Sequence, residues 1–190
     1  MRIVYLSITF AVTWVCQVAA DDLSKRVFSF VADDRVVCVA FDYAAGLMVT
    51  SAHCTTGSSM ELSDGRKAEV YRRRDFDDAL DDFEATDRDV ALLIPSESKR
   101  ALSTDRSPIP PGTILYLQPP SQPAIPCPLV EYHGLTLILD CYASVGLSGS
   151  PIIRVGRFGS RKVVGLLSAI DTDTRMSWAT HIASVDWLTQ

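Results

Sequence analysis

The chain has 190 residues, of which 47% are hydrophobic and 22% are charged, and its formal net charge is −5. This composition excludes a disordered chain, a collagen-like repeat and a heptad rod, and the length suits one domain or two small lobes that share a cleft. The acidic balance argues against surfaces for nucleic acid or anionic membranes, so we expect neither as a partner.

The first twenty residues form a separate segment. Arg2 precedes an apolar run over 3–15, and small residues end the segment before Asp21. A transmembrane helix needs about 20 consecutive apolar residues, and this run is shorter. We therefore predict a cleaved signal peptide over 1–20, export to a secreted or periplasmic location, and no stable membrane insertion afterwards. The pattern leaves open an uncleaved anchor and a lipid-modified Cys16.

Four cysteines follow the predicted cleavage point, and an even number suits an oxidising compartment. Each neighbouring pair straddles a glycine turn between apolar runs: Cys38 and Cys54 around Gly46, and Cys127 and Cys141 around Gly134. Folding the chain back at each glycine sets the two cysteines opposite one another. We predict disulfides 38–54 and 127–141, with four buried free thiols as the alternative.

Short β-branched and aromatic runs alternate with turn signals along the chain, which is typical of an all-β protein. Runs that predict strands are 27–31, 36–41, 47–49, 68–71, 90–94, 113–117, 130–132, 136–139, 152–155, 163–167 and 176–179. Residues 183–188 predict a terminal helix. Closed barrels would remove the edges of so many short strands. We predict an N-terminal barrel over 21–100, a linker over 101–111 and a C-terminal barrel over 112–190.

The segment Gly146-Leu-Ser-Gly-Ser-Pro151 carries the sharpest chemical signal. Glycines on both sides of Ser148 allow a bend that exposes its hydroxyl and makes successive backbone N–H groups converge. Such a nest stabilises a developing oxyanion, with each donor contributing about 2.7–4 kcal/mol in acyl transfer. Ser148 is therefore a candidate nucleophile, although a small-residue turn by itself is often only a turn.

His53 and Asp89 are candidates for the groups that would activate this serine. His53 ends a strand beside Cys54, and an imidazole titrates near neutrality as a general base requires. Asp89 opens the apolar run 90–94, where a partly buried carboxylate would accept the imidazole N–H and fix its tautomer. Asp87 is the competitor, and a structural surface histidine is the alternative for His53.

The acidic stretch 75–89 contains eight carboxylates but lacks the glycine and spacing of an EF-hand calcium loop. We predict a solvated loop there, with the arginines over 72–74 as its local counter-charge. His133 is interpreted as a turn residue and His181 as a strand residue with satisfied hydrogen bonds, because no ligand spacing accompanies them. We expect no metal and no other cofactor.

Three separated motifs resemble those of the chymotrypsin-fold, trypsin-like serine proteases. Residues 50–54 (TSAHC) resemble the family's TAAHC, residues 89–93 (DVALL) its D-[IV]-A-L-L, and residues 146–151 (GLSGSP) its GDSGGP. The histidine-loop disulfide and the closing-helix sequence at 185–188 also match. Residues 62–70 are similar to the Deg-type (HtrA) proteases, and the GxSGSP form is similar to the glutamyl endopeptidases. The resemblance covers about residues 28–190.

The resemblance implies an all-β fold of two antiparallel barrels with a short C-terminal helix, and a peptide or protein substrate. It implies that Ser148 is the nucleophile, His53 the general base and Asp89 the orienting carboxylate. Further implied roles are an oxyanion hole made by the N–H groups of Gly146 and Ser148, and β-type substrate pairing by Ser168, Ala169 and Ile170. A specificity pocket would be lined by Tyr142, Ala143 and residues near 176–178, including Trp178.

The sequence departs from the family before the nucleophile, where trypsin-like enzymes carry an aspartate that pairs with a newly cleaved N-terminus. Leu147 occupies that position, so no such latch can form. Lys25-Arg26 resembles a processing site without an acidic receptor and is interpreted as a polar lead-in. We predict a secreted serine endopeptidase, with an inactive binding module of the same fold as the alternative; substrate preference and oligomeric state are not predicted.

Overall fold

A computed structural model describes residues 23–32, 36–44, 46–74, 82–97 and 99–189. Its described residues contain twelve strands and two short α-helices. The predicted signal peptide over 1–20, including Cys16, lies outside them. No helix in the described ranges combines the length and the hydropathy needed to cross a membrane.

The first lobe is an antiparallel sheet of six strands. These are β1 (Val27–Ala32), β2 (Val36–Ala44), β3 (Leu47–Thr50), β4 (Ser59–Glu61), β5 (Lys67–Arg73) and β6 (Ala91–Pro95), in the spatial order β1-β2-β3-β6-β5-β4. An antiparallel bridge between Phe30 and Leu62 connects the two ends of this order. The N–H of Ser63 also donates to the carbonyl of Ser29 at 2.7 Å, so the sheet closes into a barrel.

The second lobe is a closed antiparallel barrel. Its strands are β7 (Ile114–Leu117), β8 (Ile125–His133), β9 (Thr136–Leu139), β10 (Pro151–Val155), β11 (Arg161–Asp171) and β12 (Met176–His181). The order is β10-β11-β12-β9-β8-β7, and β10 pairs with β7 to complete the circle. The predicted all-β class and two-barrel architecture are confirmed.

Side-chain alternation along β2 shows why the two barrels pack together. Cys38 and Ala40 face the interior of the first barrel, whereas Val39 and Phe41 point the other way. The second pair joins a buried cluster that includes Ile153 and Leu166 of the second barrel. Since each fully buried large apolar side chain contributes about 1.5–3 kcal/mol, the shared cluster fixes one lobe against the other.

The linker bonds to both lobes. The N–H of Leu102 donates to the carbonyl of Asp42 in β2, and the N–H of Asp105 donates to the carbonyl of Val163 in β11, both at 2.8 Å. The domain limits at 100 and 112 stay predictions. Both predicted cysteine pairings are present, Cys38–Cys54 across the β2–β3 hairpin and Cys127–Cys141 beside β8 and β9.

The solvated loop predicted over 75–89 is wrong for the part that forms helix α1 (Asp82–Arg88), and residues 75–81 lie outside the described residues. Acidic residues lie in its first turn and Arg88 in its last, as the helix dipole favours. The ring of Phe83 stacks on His133 at 4.1 Å and lies 4.9 Å from the Trp178 ring, measured between centroids. Packing of this partly buried aromatic residue against the second barrel therefore overrides the polar composition.

Two further details refine the sequence predictions. The arginines over 72–74 donate to carbonyl oxygens, Arg72 to Leu188, Arg73 to Thr55 and Arg74 to Asp87. Arg74 also interacts electrostatically with the Asp87 carboxylate of the acidic stretch. The terminal helix is shorter than 183–188, since a 3-10 turn (Ile182–Val185) precedes helix α2 (Asp186–Thr189).

Candidate active site

His53 is fixed by a 3-10 turn (Ala52–Cys54) that directly follows β3. The hydroxyl and the N–H of Thr55 both donate to the carbonyl of Ala52, at 2.7 and 3.0 Å, and close the turn. The disulfide from Cys54 to Cys38 then ties the turn to β2. Because the backbone is held on both sides of His53, the imidazole has a defined direction, and its side chain is 30% exposed.

Asp89 is completely buried between the two lobes. Its Oδ2 lies 2.8 Å from His53 Nδ1, and its Oδ1 accepts the backbone N–H of His53 at 3.0 Å. The hydroxyl of Ser168, on β11 of the second barrel, donates to Oδ2. A buried carboxylate with three donors is a strong acceptor, and this one fixes both the backbone and the ring of His53.

The environment of His53 raises the pKa of its imidazole above the ordinary value. Burial acts in the opposite direction, since it disfavours the charged ring and lowers the pKa. The hydrogen bond to Asp89 and the charge of Asp89 raise the pKa, and together they prevail. The carboxylate therefore stabilises the imidazolium, which is the form that a general base produces when it takes a proton.

Ser148 lies at a tight turn before β10. The N–H of Ser150 donates to the carbonyl of Leu147 at 2.9 Å, and Gly149 has a φ of 88°, as the third position of a type II turn requires. Gly146, at a φ of 92°, bends the chain just before it. The N–H groups of Gly149 and Ser150 donate hydrogen bonds to other described residues. The N–H groups of Gly146 and Ser148 donate none to them.

Backbone contacts hold this turn between the lobes. The N–H of Val39, in the first barrel, donates to the carbonyl of Ser148 at 2.8 Å, and the N–H of Gly149 donates to the carbonyl of Leu167 at 2.7 Å. The hydroxyl of Ser51, beside His53, donates to the same Leu167 carbonyl at 2.9 Å. The serine turn and the histidine turn are therefore bonded to one strand, β11.

Ser168 connects the three candidate residues. Its hydroxyl donates to Asp89, and its carbonyl accepts the hydroxyl of Ser148 at 3.3 Å. A register shift in the β11–β12 pairing falls between Leu167 and Ala169 and leaves Ser168 without a pairing partner in β12. Such a bulge re-aims a side chain. The sequence analysis assigned Ser168 only to substrate pairing; nothing in the sequence alone marked the bulge.

Asp87, the competitor of Asp89, has different partners. Its carboxylate accepts the hydroxyl of Thr136 at 2.7 Å and the N–H of Leu135 at 3.1 Å, both in the hairpin between β8 and β9. The structure therefore brings Asp89, rather than Asp87, to the imidazole, and directs Asp87 to the second barrel.

The residues predicted for substrate contact divide into two groups. Beyond Leu167, β11 continues past its pairing with β10, so Ser168, Ala169 and Ile170 have a strand edge that β10 does not occupy. Ala169 and Ile170 pair on the other side with Trp178 and Ser177 of β12. An extended peptide could add to the unoccupied edge as a further strand.

The predicted pocket residues do not all meet. Tyr142 is 45% exposed, whereas Ala143 is buried and donates its N–H to the hydroxyl of Ser177 at 3.1 Å. Ser177, within the stretch 176–178 that was predicted to line the pocket, also donates to the carbonyl of Cys141 and so holds this loop. Trp178 faces outward, against Phe83.

One group of metal-type side chains lies at the site. Ligand atoms of Cys38, His53 and Cys54 are within 4.8 Å of one another. The two sulfurs are bonded as a disulfide, however, and only a thiolate is a strong metal ligand. This group therefore lacks the donors that a zinc site would need.

Neither protein-family models nor curated proteins match this sequence. Solved structures do match. The Rv3671c protease in an inactive form has a TM-score of 0.67 at 16% identity, covering 92% of each chain. A serine-to-alanine mutant of Rv3671c from M. tuberculosis H37Rv, also inactive, has a TM-score of 0.65 at 16% identity, covering 88% of this chain and 86% of that one. The likeness shows the chymotrypsin-type protease fold.

Proposed function

We propose that this protein is an exported serine endopeptidase that cleaves peptide bonds through an acyl-enzyme on Ser148. The observation that carries the proposal is the buried Asp89, which bonds to the imidazole of His53 and, through Ser168, is linked to the hydroxyl of Ser148. The protease neighbours support the same class at the level of the fold. The two disulfides and the signal-like N-terminus support export.

The proposed reaction starts with an extended peptide paired to the edge of β11 at 168–170. Rotation of the Ser148 hydroxyl away from the Ser168 carbonyl lets His53 Nε2 take its proton, and the oxygen attacks the scissile carbonyl. The N–H groups of Gly146 and Ser148 stabilise the oxyanion. His53 then protonates the leaving amine, and a water molecule, activated by the same imidazole, releases the acid product.

Leu147 argues for an active enzyme over an inactive module. Its side chain is partly buried against the hydrophobic core of the second barrel. Apolar packing therefore holds the residue before the nucleophile, at the position where trypsin-like enzymes rely on an ion pair formed after cleavage. The turn needs no such event to reach its conformation.

Labelling with a fluorophosphonate tests the proposal. We expect the native chain to form a covalent adduct and Ser148→Ala to form none. Ser144→Ala is the matched control, since it removes an exposed hydroxyl from the same loop and should leave labelling unchanged. An unlabelled native chain, or equal labelling of Ser148→Ala, would exclude the enzyme. A peptide-library digest with the same variants would then define the cleavage preference.

The assignment of the carboxylate has its own test. Replacement of the triad aspartate by asparagine in a related enzyme costs about 10⁴ in turnover, so Asp89→Asn should reduce kcat by a comparable factor. Asp87→Asn should reduce it far less. Similar losses in both variants would reject Asp89 as the orienting group.

A further inference from the structure

Residues 86–89, the segment that carries Asp89, belong to the first lobe in sequence but also form hydrogen bonds with the second half of the chain. The hydroxyl of Thr180, in β12, donates to the carbonyl of Thr86 at 2.6 Å, and the same carbonyl accepts the N–H of Asp89 at 3.1 Å. The carbonyl of Asp87 accepts the hydroxyl of Ser184 at 2.6 Å. Contacts from the second half of the chain therefore help to position Asp89, together with those from Arg74 and His53 of the first lobe.

Among the described contacts of this segment with the second half of the chain, only those of Asp87 are made by an acidic side chain. One carboxylate oxygen accepts the Thr136 hydroxyl and the other accepts the Leu135 N–H. These two hydrogen bonds are called the Asp87–hairpin contact below. Bonds to an ionised acceptor are roughly twice as strong as neutral ones, so this contact is the strongest side-chain link between the segment and the hairpin.

The hairpin is shaped to receive this carboxylate. Gly134 turns the chain between β8 and β9 with a φ of 61°, and a Cβ built there would lie 2.6 Å from Asp87 Oδ2. Only glycine lets the backbone approach the carboxylate so closely. The stacking of Phe83 on His133, one residue before this glycine, brings helix α1 against the same hairpin.

We propose that Asp87 is a positioning residue, which acts through the Asp87–hairpin contact to fix Asp89, and with it His53, relative to Ser148 on the second barrel. The proposal rests on the proposed serine endopeptidase function. Asp87 itself does not touch the reacting groups. Its contribution is the alignment of a carboxylate from one lobe with a nucleophile from the other, and a misplacement of about 1 Å can cost about 10²-fold in rate.

Steady-state kinetics on a peptide substrate distinguish positioning from a merely structural role. Asp87→Ala should lower kcat by about 10- to 100-fold and leave KM within about twofold, because the β11 edge that binds substrate is untouched. Asp87→Asn, which can accept only one of the two hydrogen bonds, should retain an intermediate kcat. Glu84→Gln is the control: it removes an exposed carboxylate of the same helix, paired with Arg88, and should leave kcat unchanged.

A double-mutant cycle tests whether the effect passes through the hairpin. Thr136→Val removes a hydroxyl that lies 2.7 Å from the Asp87 carboxylate and 3.1 Å from the Phe83 carbonyl, so it should also lower kcat. The fold-loss in the double variant with Asp87→Ala should be smaller than the product of the two single losses. If Asp87→Ala does not fold, Thr136→Val and Asp87→Asn carry the test, with amide exchange of Leu135 reporting the lost contact.

The outcomes separate this proposal from the proposed function. A native chain that fluorophosphonate does not label rejects the endopeptidase. If the native chain is labelled, three kinetic results would each reject the positioning role. Asp87→Ala keeps full kcat, or it changes KM and not kcat, or the kcat losses from Asp87→Ala and Thr136→Val are independent.

Discussion

Gly149 is the position where the turn of the candidate nucleophile comes closest to the first barrel. Its φ of 88° is one that L-residues rarely adopt, and a Cβ built there would lie 1.9 Å from the carbonyl oxygen of Val39 and 2.8 Å from the hydroxyl of Thr50. Ordinary contact requires at least 3.4 Å, so Gly149→Ala forces a displacement of about 1.5 Å between the turn and β2.

Two costs add in this variant. The left-handed backbone costs a non-glycine residue about 1–2 kcal/mol, and overpacking costs about 1–3 kcal/mol. The displacement also strains the hydrogen bond from the Val39 N–H to the Ser148 carbonyl. We expect the free energy of unfolding to fall by about 2–5 kcal/mol, which is a large part of the 5–15 kcal/mol typical of a domain.

Urea denaturation of both Gly149→Ala and Gly159→Ala separates the cost of the clash with β2 from the cost of the left-handed backbone. Gly159 has a φ of 76°, and nothing lies within 4 Å of a Cβ built there. It should therefore lose only about 1–2 kcal/mol. Equal losses in the two variants would show that the close approach of β2 to the serine turn adds no free-energy cost beyond the backbone strain, and would refute the reasoning.

Three other predictions concern pH and the disulfides. Because Asp89 raises the pKa of His53, kcat/KM should rise with pH through a midpoint above about 6.5, and a midpoint below that value would contradict the assignment. Burial lowers the pKa of His181, so its contribution to stability should be full above about pH 6.5 and fall as acid forces a proton onto the ring. The free energy of unfolding in urea should fall less between pH 7.5 and 5 for His181→Asn than for the native chain, and an equal fall would refute this. Replacing Cys38 and Cys54 by serine should cost about 3 kcal/mol and also lower kcat in the folded fraction. Loss of the second disulfide, which does not hold His53, should lower kcat less. An unchanged kcat in the first variant would deny the disulfide a role in holding His53.

His181 also corrects a sequence interpretation. We expected a strand residue with satisfied hydrogen bonds, but among the described residues only Nδ1 has a partner, the N–H of Ala183 at 3.2 Å. Nε2 is buried, and no hydrogen-bond partner for it lies in the described part of the chain. Since Nδ1 accepts a hydrogen bond, Nε2 carries the proton of the neutral ring. A second proton would have to occupy Nδ1 and displace the Ala183 contact, which is the geometric reason for the acid sensitivity.

Most of the strands could be predicted from the sequence because their signal is local. The strands are mostly short runs of β-branched and aromatic residues between turn residues, and the glycine turns at 46 and 134 lie between the cysteines of the two disulfides. Strand β4 and helix α1 were missed for the opposite reason. Their residues are mostly polar, and the helix is stabilised by Phe83 packing on His133 and Trp178, which lie at least 50 positions away in the chain.

The choice between Asp87 and Asp89 shows where sequence reasoning about the site reaches its limit. Both carboxylates lie in one acidic segment, and the preference for Asp89 rested on its position next to an apolar run. The structure shows that this preference has a physical basis, because the residue next to the run is the one carried into the buried interface. It also shows that the Asp87 carboxylate has partners of its own, since it accepts hydrogen bonds from a hairpin almost fifty residues away in the chain.

The bulge at Ser168 is the feature that a sequence pattern could not reveal, and it explains why a strand of the second barrel can serve both halves of the site. In a regular ladder, the carbonyl of Ser168 would bond to the neighbouring strand and its hydroxyl would follow the alternation of β11. The register shift between Leu167 and Ala169 releases both groups. The hydroxyl then reaches Asp89 of the first lobe, and the carbonyl receives the hydroxyl of Ser148. One irregular residue therefore connects the candidate orienting carboxylate to the candidate nucleophile, and any substitution that restored the regular pairing would separate them.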